Sequence, residues 1–197
     1  MMVLFVLLLL VIGLGFWLIQ IYNQLVALKA QYENGFAQIE VQLRRRYDLI
    51  PNLVETVKGY LKHENNTLTA VIEARNVANT LLKAASLRPS DPGAIQQLGQ
   101  AESRLTQALG GLNVQLEAYP DLKANDNIRQ LFEELTATEN RVAFARQAFN
   151  DGVTNYNIYR NQFPAVLVAT RTGHIQDASL LEIENPEQYR EPPKVAL

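Results

Sequence analysis

The chain has no cysteine and only two histidines, and no charged side chain precedes Lys29. The first absence excludes disulfides and leaves the redox compartment open. The second removes most metal chemistry. Zinc sites draw on more His or Cys than this chain owns, and a carboxylate-bridged di-iron bundle needs Glu-x-x-His pairs on two helices, whereas neither His63 nor His174 follows a Glu at that spacing. No Gly-x-x-x-x-Gly-Lys phosphate loop occurs, and Gly110-Gly111 sits within a helical pattern without a following lysine. Strong charge of either sign is also missing. A formal net charge of −2 argues against a dedicated nucleic-acid binder, so no nucleic-acid partner is expected.

What is present begins at the first residue. Met1 to Tyr22 is almost unbroken hydrocarbon with one polar side chain, Gln20, and as a helix it spans ~30 Å, enough to cross a bilayer once. Trp17 and Tyr22 fall near its far end, where amphipathic rings favour the headgroup boundary. Nothing basic precedes the run, and its one small-x-small site, Gly13-Leu14-Gly15, lies inside it, so an uncleaved anchor over residues 1–22 is expected rather than a removed leader. Lys29 and the triplet Arg44-Arg45-Arg46 are the first cations beyond the span, which favours a cytoplasmic C-terminal domain. Three consecutive helical residues fan through ~200°, so the triplet makes a poor phosphate clamp.

Beyond the anchor, residues 23–164 read as four helices. The first continues out of the membrane to about His63 on a stripe of Tyr32, Phe36, Ile39, Leu43, Tyr47, Ile50, Val54, Val57 and Leu61. Pro51 removes the bond to the Tyr47 carbonyl and is expected to kink this helix without ending it, because the stripe keeps its register across the proline. A second helix is expected over about Asn66 to Ala85, followed by a turn in which Asp91 caps a helix opening on Pro92. The third carries Ile95, Leu98, Leu105, Leu109, Leu112 and Leu116 up to Tyr119-Pro120, and Asn125 or Asp126 can cap the fourth. The fourth follows a heptad from Ile128 through Leu135, Val142, Phe149 and Tyr156 to Phe163. Short connections make neighbours antiparallel, giving an all-α fold: a transmembrane helix running into an up-and-down four-helix bundle. Residues 165–197, with three further prolines, read as an irregular tail of partly ordered packing followed by a mobile end.

Two charges stand in core register. Glu102 aligns with Ile95, Leu109 and Leu116, and Arg75 aligns with Leu68, Val71, Ala78 and Leu82. Either the two meet at one height inside an antiparallel hairpin, or each helix rotates so that Ala74 and Ala101 take the core positions. The His63-Glu64 pair has the residue types of a base and its orienter, but a solvated turn between helices is the favoured reading, and no catalytic activity, metal or cofactor is expected.

Specific blocks resemble the LemA family. Arg45-Arg46-Tyr47-Asp48-Leu49-Ile50-Pro51-Asn52-Leu53-Val54, Lys58-Gly59-Tyr60, His63-Glu64, Arg75, Tyr119 to Asn125 (including Pro120), Glu139-Asn140, Arg146, Asn150, Tyr156-Asn157 and Phe163-Pro164 carry the likeness. Glu40 and Phe149 depart from it mildly, where Asp and Tyr are common in the family. The resemblance implies a bacterial, single-pass inner or plasma membrane protein with its N-terminus outside and a helical bundle inside. It implies no assigned biochemical activity. Relatives linked to magnetosome membranes or to presented antigens lend no role through these residues. Two functions fit: a scaffold that self-associates and organises or shapes the bilayer, or a tethered adaptor that recruits another protein. The partners are then the lipid bilayer together with a second copy or an unidentified protein.

Overall fold

An apolar stripe that keeps one register on both sides of a proline requires one unbroken helix, and one forms. The computed structural model describes residues 1–59, 65–119, 122 and 125–183, and in it α1 runs Met2–Lys58 with Pro51 inside it. Its 57 residues span ~85 Å at the α-helical rise. The first part is long and apolar enough to cross a membrane, and its large apolar side chains are exposed up to Ile19. Ile21 and Leu25 are the first buried residues, so the packed domain begins where the apolar run ends.

The other helices are α2 (Asn65–Leu87), α3 (Pro92–Glu117), α4 (Asp126–Asn161) and α5 (Ala165–Arg171). Their starts follow local chemistry. Asp91 Oδ1 accepts from the Gly93 and Ala94 amides at 2.9 and 3.4 Å, and Pro92 occupies a position where a helix has no use for an N–H. Asn125 Oδ1 takes the Asn127 and Ile128 amides at 3.0 and 3.3 Å, so Asn125 rather than Asp126 is the cap of α4. The expected turn at His63-Glu64 and the residue Pro120 lie outside the described residues.

The helices alternate in direction, with α1 packed along α4 and against α2, and α2 packed on α3. Two glycines set the α1–α4 register: a Cβ on Gly152 would stand 3.2 Å from Tyr32 Cβ, and one on Gly35 3.2 Å from Phe149 Cα. That closeness brings Tyr32 edge-on to Tyr156 and Phe149, with ring centroids 5.3 and 6.2 Å apart. The α2–α3 turn is tied to the same level of α1, where Tyr32 Oη donates to Ser90 Oγ at 3.1 Å and Ser90 donates to Glu33 at 2.7 Å. Burial pushes the Tyr32 hydroxyl up to about 12.

Of the tail at 165–197, residues 165–183 are described, and they are packed in a more definite form than an irregular tail, while residues 184–197 lie outside the described residues. The chain after Pro164 forms α5, turns at Gly173 with φ of 87°, and continues as an extended strap to Ile183. The strap lies between α4 and α3. Asn157 exchanges two hydrogen bonds of 2.9 Å with the backbone of Ala178, Asn150 exchanges two of 2.9 and 3.3 Å with Leu181, and Arg146 donates to the Ile183 carbonyl at 3.1 Å. On the other side a Cβ on Gly99 of α3 would overlap the Glu182 carbonyl oxygen. Ala178 and Leu181 are buried. A strap held through its main chain needs no apolar period of its own, which is why the pattern fades there.

Candidate functional site

The centre of the bundle is organised by Arg46, Tyr47 and Pro51 of α1. Proline has no N–H, so the carbonyl four residues earlier, on Tyr47, loses its helical donor. Tyr47 is 1% exposed, which denies that oxygen water. Arg75 of α2 supplies the missing donor, its Nε–H reaching the Tyr47 carbonyl at 3.0 Å. The same guanidinium donates to Asn76 Oδ1 at 3.1 Å and stands 4.0 Å from the exposed carboxylate of Asp48.

On the opposite side of Tyr47, its hydroxyl donates to Glu102 Oε1 of α3, and Arg46 Nη1 donates to Glu102 Oε2 at 3.1 Å. Arg46 also reaches Thr106 Oγ1 at 3.2 Å, and Glu139 of α4 at 3.9 Å. Glu102 is fully buried, and Arg46 nearly so. Burial raises the pKa of Glu102, against the opposing pull of Arg46 and the Tyr47 hydroxyl. Burial, followed by the neighbouring Glu102 charge, likewise raises the Tyr47 hydroxyl. Two adjacent residues of α1 thus bind groups from α2, α3 and α4.

Of the two arrangements the sequence left open for Arg75 and Glu102, the direct pair does not form. Glu102 does occupy a core position and Ala101 is buried beside it, but the partner of Glu102 is Arg46. Arg75 faces α1 instead of α3 because the orphaned Tyr47 carbonyl is a fixed acceptor there. The arginine triplet separates as its helical spacing requires: Arg44 pairs with Glu40 on the surface, Arg45 is exposed and Arg46 turns inward.

The remaining motif residues serve the frame. Asn52 is exposed and its carbonyl accepts from Thr56 Oγ1 at 2.7 Å, Lys58 closes α1, Tyr119 packs against the core, Asn140 is exposed, and Arg146 and Asn150 hold the strap. One further cluster was not singled out from the residues. At the membrane-proximal end, Tyr156 Oη and His174 Nδ1 are 3.0 Å apart, and Arg160 donates to the His174 carbonyl at 2.8 Å, to Asp177 at 2.6 Å and to the Ile175 carbonyl. His174 has its pKa lowered by burial and by the nearby Lys29 and Arg160 charges. Only the fourteen-residue gap between Arg160 and His174 in the chain hid this contact, since neither stands in a repeat.

Among the described residues no group of three or more His, Asp or Glu is placed to hold a metal. The chemistry of both clusters is donor to acceptor, joining one segment to another. A bilayer-length apolar helix that passes without a break into a bundle pinned by buried polar contacts defines a membrane-associated helical protein. The chain belongs to the LemA family, whose family model matches residues 35–197. It is similar to the magnetosome protein MamQ of Magnetospirillum gryphiswaldense, at 24% identity over 86% of this chain and 71% of that protein. A second similarity is to magnetosome protein MamQ 2 of Paramagnetospirillum magneticum, at 25% identity over 77% of this chain and 61% of that protein. Protein LemA of Metamycoplasma hominis matches at 24% identity over 68% of this chain and 57% of its own length.

Arg75→Met is expected to cost about 1–3 kcal/mol, the price of leaving a buried carbonyl without a donor. In a Pro51→Ala background the restored amide can bond that carbonyl, so the same change should cost much less. Chemical denaturation of the four variants measures the coupling, and equal costs in both backgrounds would refute the link.

Glu102→Leu should cost about 3–5 kcal/mol by stranding the Arg46 charge, with most of it recovered in the Arg46→Met/Glu102→Leu double variant. The pH sign follows from the raised pKa. The folded state holds its proton more tightly than an unfolded glutamate at 4.5, so this group's stability is present below that pH and is lost as pH rises through the folded value. Glu102→Gln should remove that downward slope from a stability–pH curve.

Proposed function

We propose that this protein is a membrane-tethered scaffold that self-associates through its bundle and so organises or shapes the bilayer. The observation that carries this reading is the continuity of α1, which leaves no hinge between the apolar segment and the packed domain: Ile21 and Leu25 are already buried. A domain joined this way tilts and turns only as one body with its anchor, and confinement to a plane raises its effective concentration for contact with other copies. Relatives named for a cellular body rather than for a reaction support a structural role. The small residues at the heptad seam do not supply the contact between copies, since Gly152 lies against Tyr32 and Ala145 packs on the core of the same chain. The contact therefore belongs to the outer faces of the helices. Full-length protein in several mild detergents and in native-lipid particles is expected to run as a discrete assembly larger than a monomer. A monomer throughout would overturn the scaffold and leave the adaptor.

The bundle is further proposed to lie in the cytoplasm, with the N-terminus outside. Support comes from Lys29, 41% exposed at its side chain, and from the exposed Arg44 and Arg45, while Arg46 is withdrawn into the core. The chain has no cysteine of its own, so Gln130→Cys on the exposed start of α4 gives a single reporter. It should resist a membrane-impermeant thiol reagent in intact cells and react after lysis. Reaction before lysis would reverse the orientation.

A further inference from the structure

The α1–α4 register that places Gly152 on Tyr32 and Phe149 on Gly35 also fixes the height of the far end of α4. Carried down the two helices, it sets Phe163 level with Ile21, where the apolar run of α1 ends and burial in the bundle begins. The other end of α5 returns to within about one helical turn of that height, because the His174 ring, just past that helix, lies between the Tyr22 ring at 6.3 Å and the Tyr156 ring at 5.9 Å. A seven-residue helix is only ~10 Å long, and with both ends near one height it crosses the foot of the bundle instead of running along it.

Its two faces differ. Ala165 and Ala169 are buried against the bundle, whereas Leu167, Thr170 and Arg171 are exposed. Phe163, one turn before Leu167, is 79% exposed, and Leu167 is 50% exposed. Large apolar side chains followed by a cation at one-turn spacing, on a short helix lying flat, suit the boundary between headgroups and acyl chains: the rings and branched chains enter and the guanidinium stays among the phosphates. The bilayer that α1 crosses is the surface already present at that height.

We infer that the turn at Phe163 and the helix α5 form a second membrane contact, with Phe163 and Leu167 seated in the interface of the leaflet from which α1 emerges and Arg171 at its phosphate level. This rests on α1 spanning the bilayer. The contact gives the bundle two points of attachment, one through the membrane and one on it, and so fixes its rotation about α1 as well as its tilt.

Because the chain lacks cysteine, single nitroxide labels can be placed by Phe163→Cys, Leu167→Cys and Thr170→Cys in the full-length protein in phospholipid nanodiscs. Leu10→Cys within the span and Phe144→Cys, exposed about halfway along α4, serve as lipid and water references. All the replaced side chains are exposed, so the fold should tolerate them. Collisional relaxation by oxygen relative to a water-soluble nickel chelate is expected to be several-fold higher at 163 and 167 than at 144, approaching the value at 10, with 170 between. If 163 and 167 match 144 while 10 reads as lipid, the second contact is wrong and the anchor stands. Should 10 itself read as water, the spanning reading falls first. Labels at 163 and 167 shielded from both reagents would mean that another protein surface covers this face, which also overturns the inference.

Discussion

A buried carbonyl oxygen without a donor costs on the order of 1–3 kcal/mol, and Pro51 creates one within α1 at Tyr47. Everything that joins the helices at mid-height is arranged around that residue. Its carbonyl takes Arg75 from α2, its hydroxyl gives to Glu102 from α3, and its neighbour Arg46 completes the bond to Glu102 and reaches toward Glu139 of α4. The proline is placed on the exposed side of α1 and interrupts nothing in the apolar stripe. Its effect is to offer the one backbone acceptor that a helix otherwise keeps for itself.

Buried ion pairs contribute little net stability, because desolvation offsets most of the attraction, but they penalise every arrangement that leaves one partner unpaired. A bundle of leucine, isoleucine and valine stripes has many near-equivalent rotations and sliding registers. In this one, sliding α3 by a turn would separate Glu102 from both Arg46 and Tyr47, and rotating α2 would abandon the Tyr47 carbonyl. The apolar residues supply the driving force for association, and this polar knot selects one register. The glycines at 35 and 152 then make the α1–α4 seam close enough for the Tyr32, Phe36, Phe149 and Tyr156 rings to interlock.

The strap solves a different problem. The side of the bundle between α3 and α4 is filled by an extended run whose backbone would otherwise bury donors and acceptors without partners. Two asparagines one heptad apart, Asn150 and Asn157, meet that need by pairing with the backbone as a neighbouring strand would. The tail is thereby made part of the bundle, and the segment connecting it, α5, is brought to the foot where α1 leaves the packed domain.

Residue order alone determined the membrane-length helix, the four long helical segments, the Asp91 cap, a cap at Asn125 or Asp126 and most core positions, because each depends on contacts within a few residues: hydropathy over a span, apolar spacing at three and four, a side chain bonding an amide two or three places on. The same reasoning put Glu102 in core register without deciding whether it is buried, and showed that Pro51 frees the Tyr47 carbonyl. It could not join those facts. Which cation meets Glu102, which donor meets the freed carbonyl, and that the tail returns to Asn150 and Asn157 all depend on how each helix is rotated about its axis and how far it slides along its neighbour. A few tens of degrees or one turn exchanges Arg46 for Arg75 without disturbing the apolar pattern, so only the packed structure decides between them.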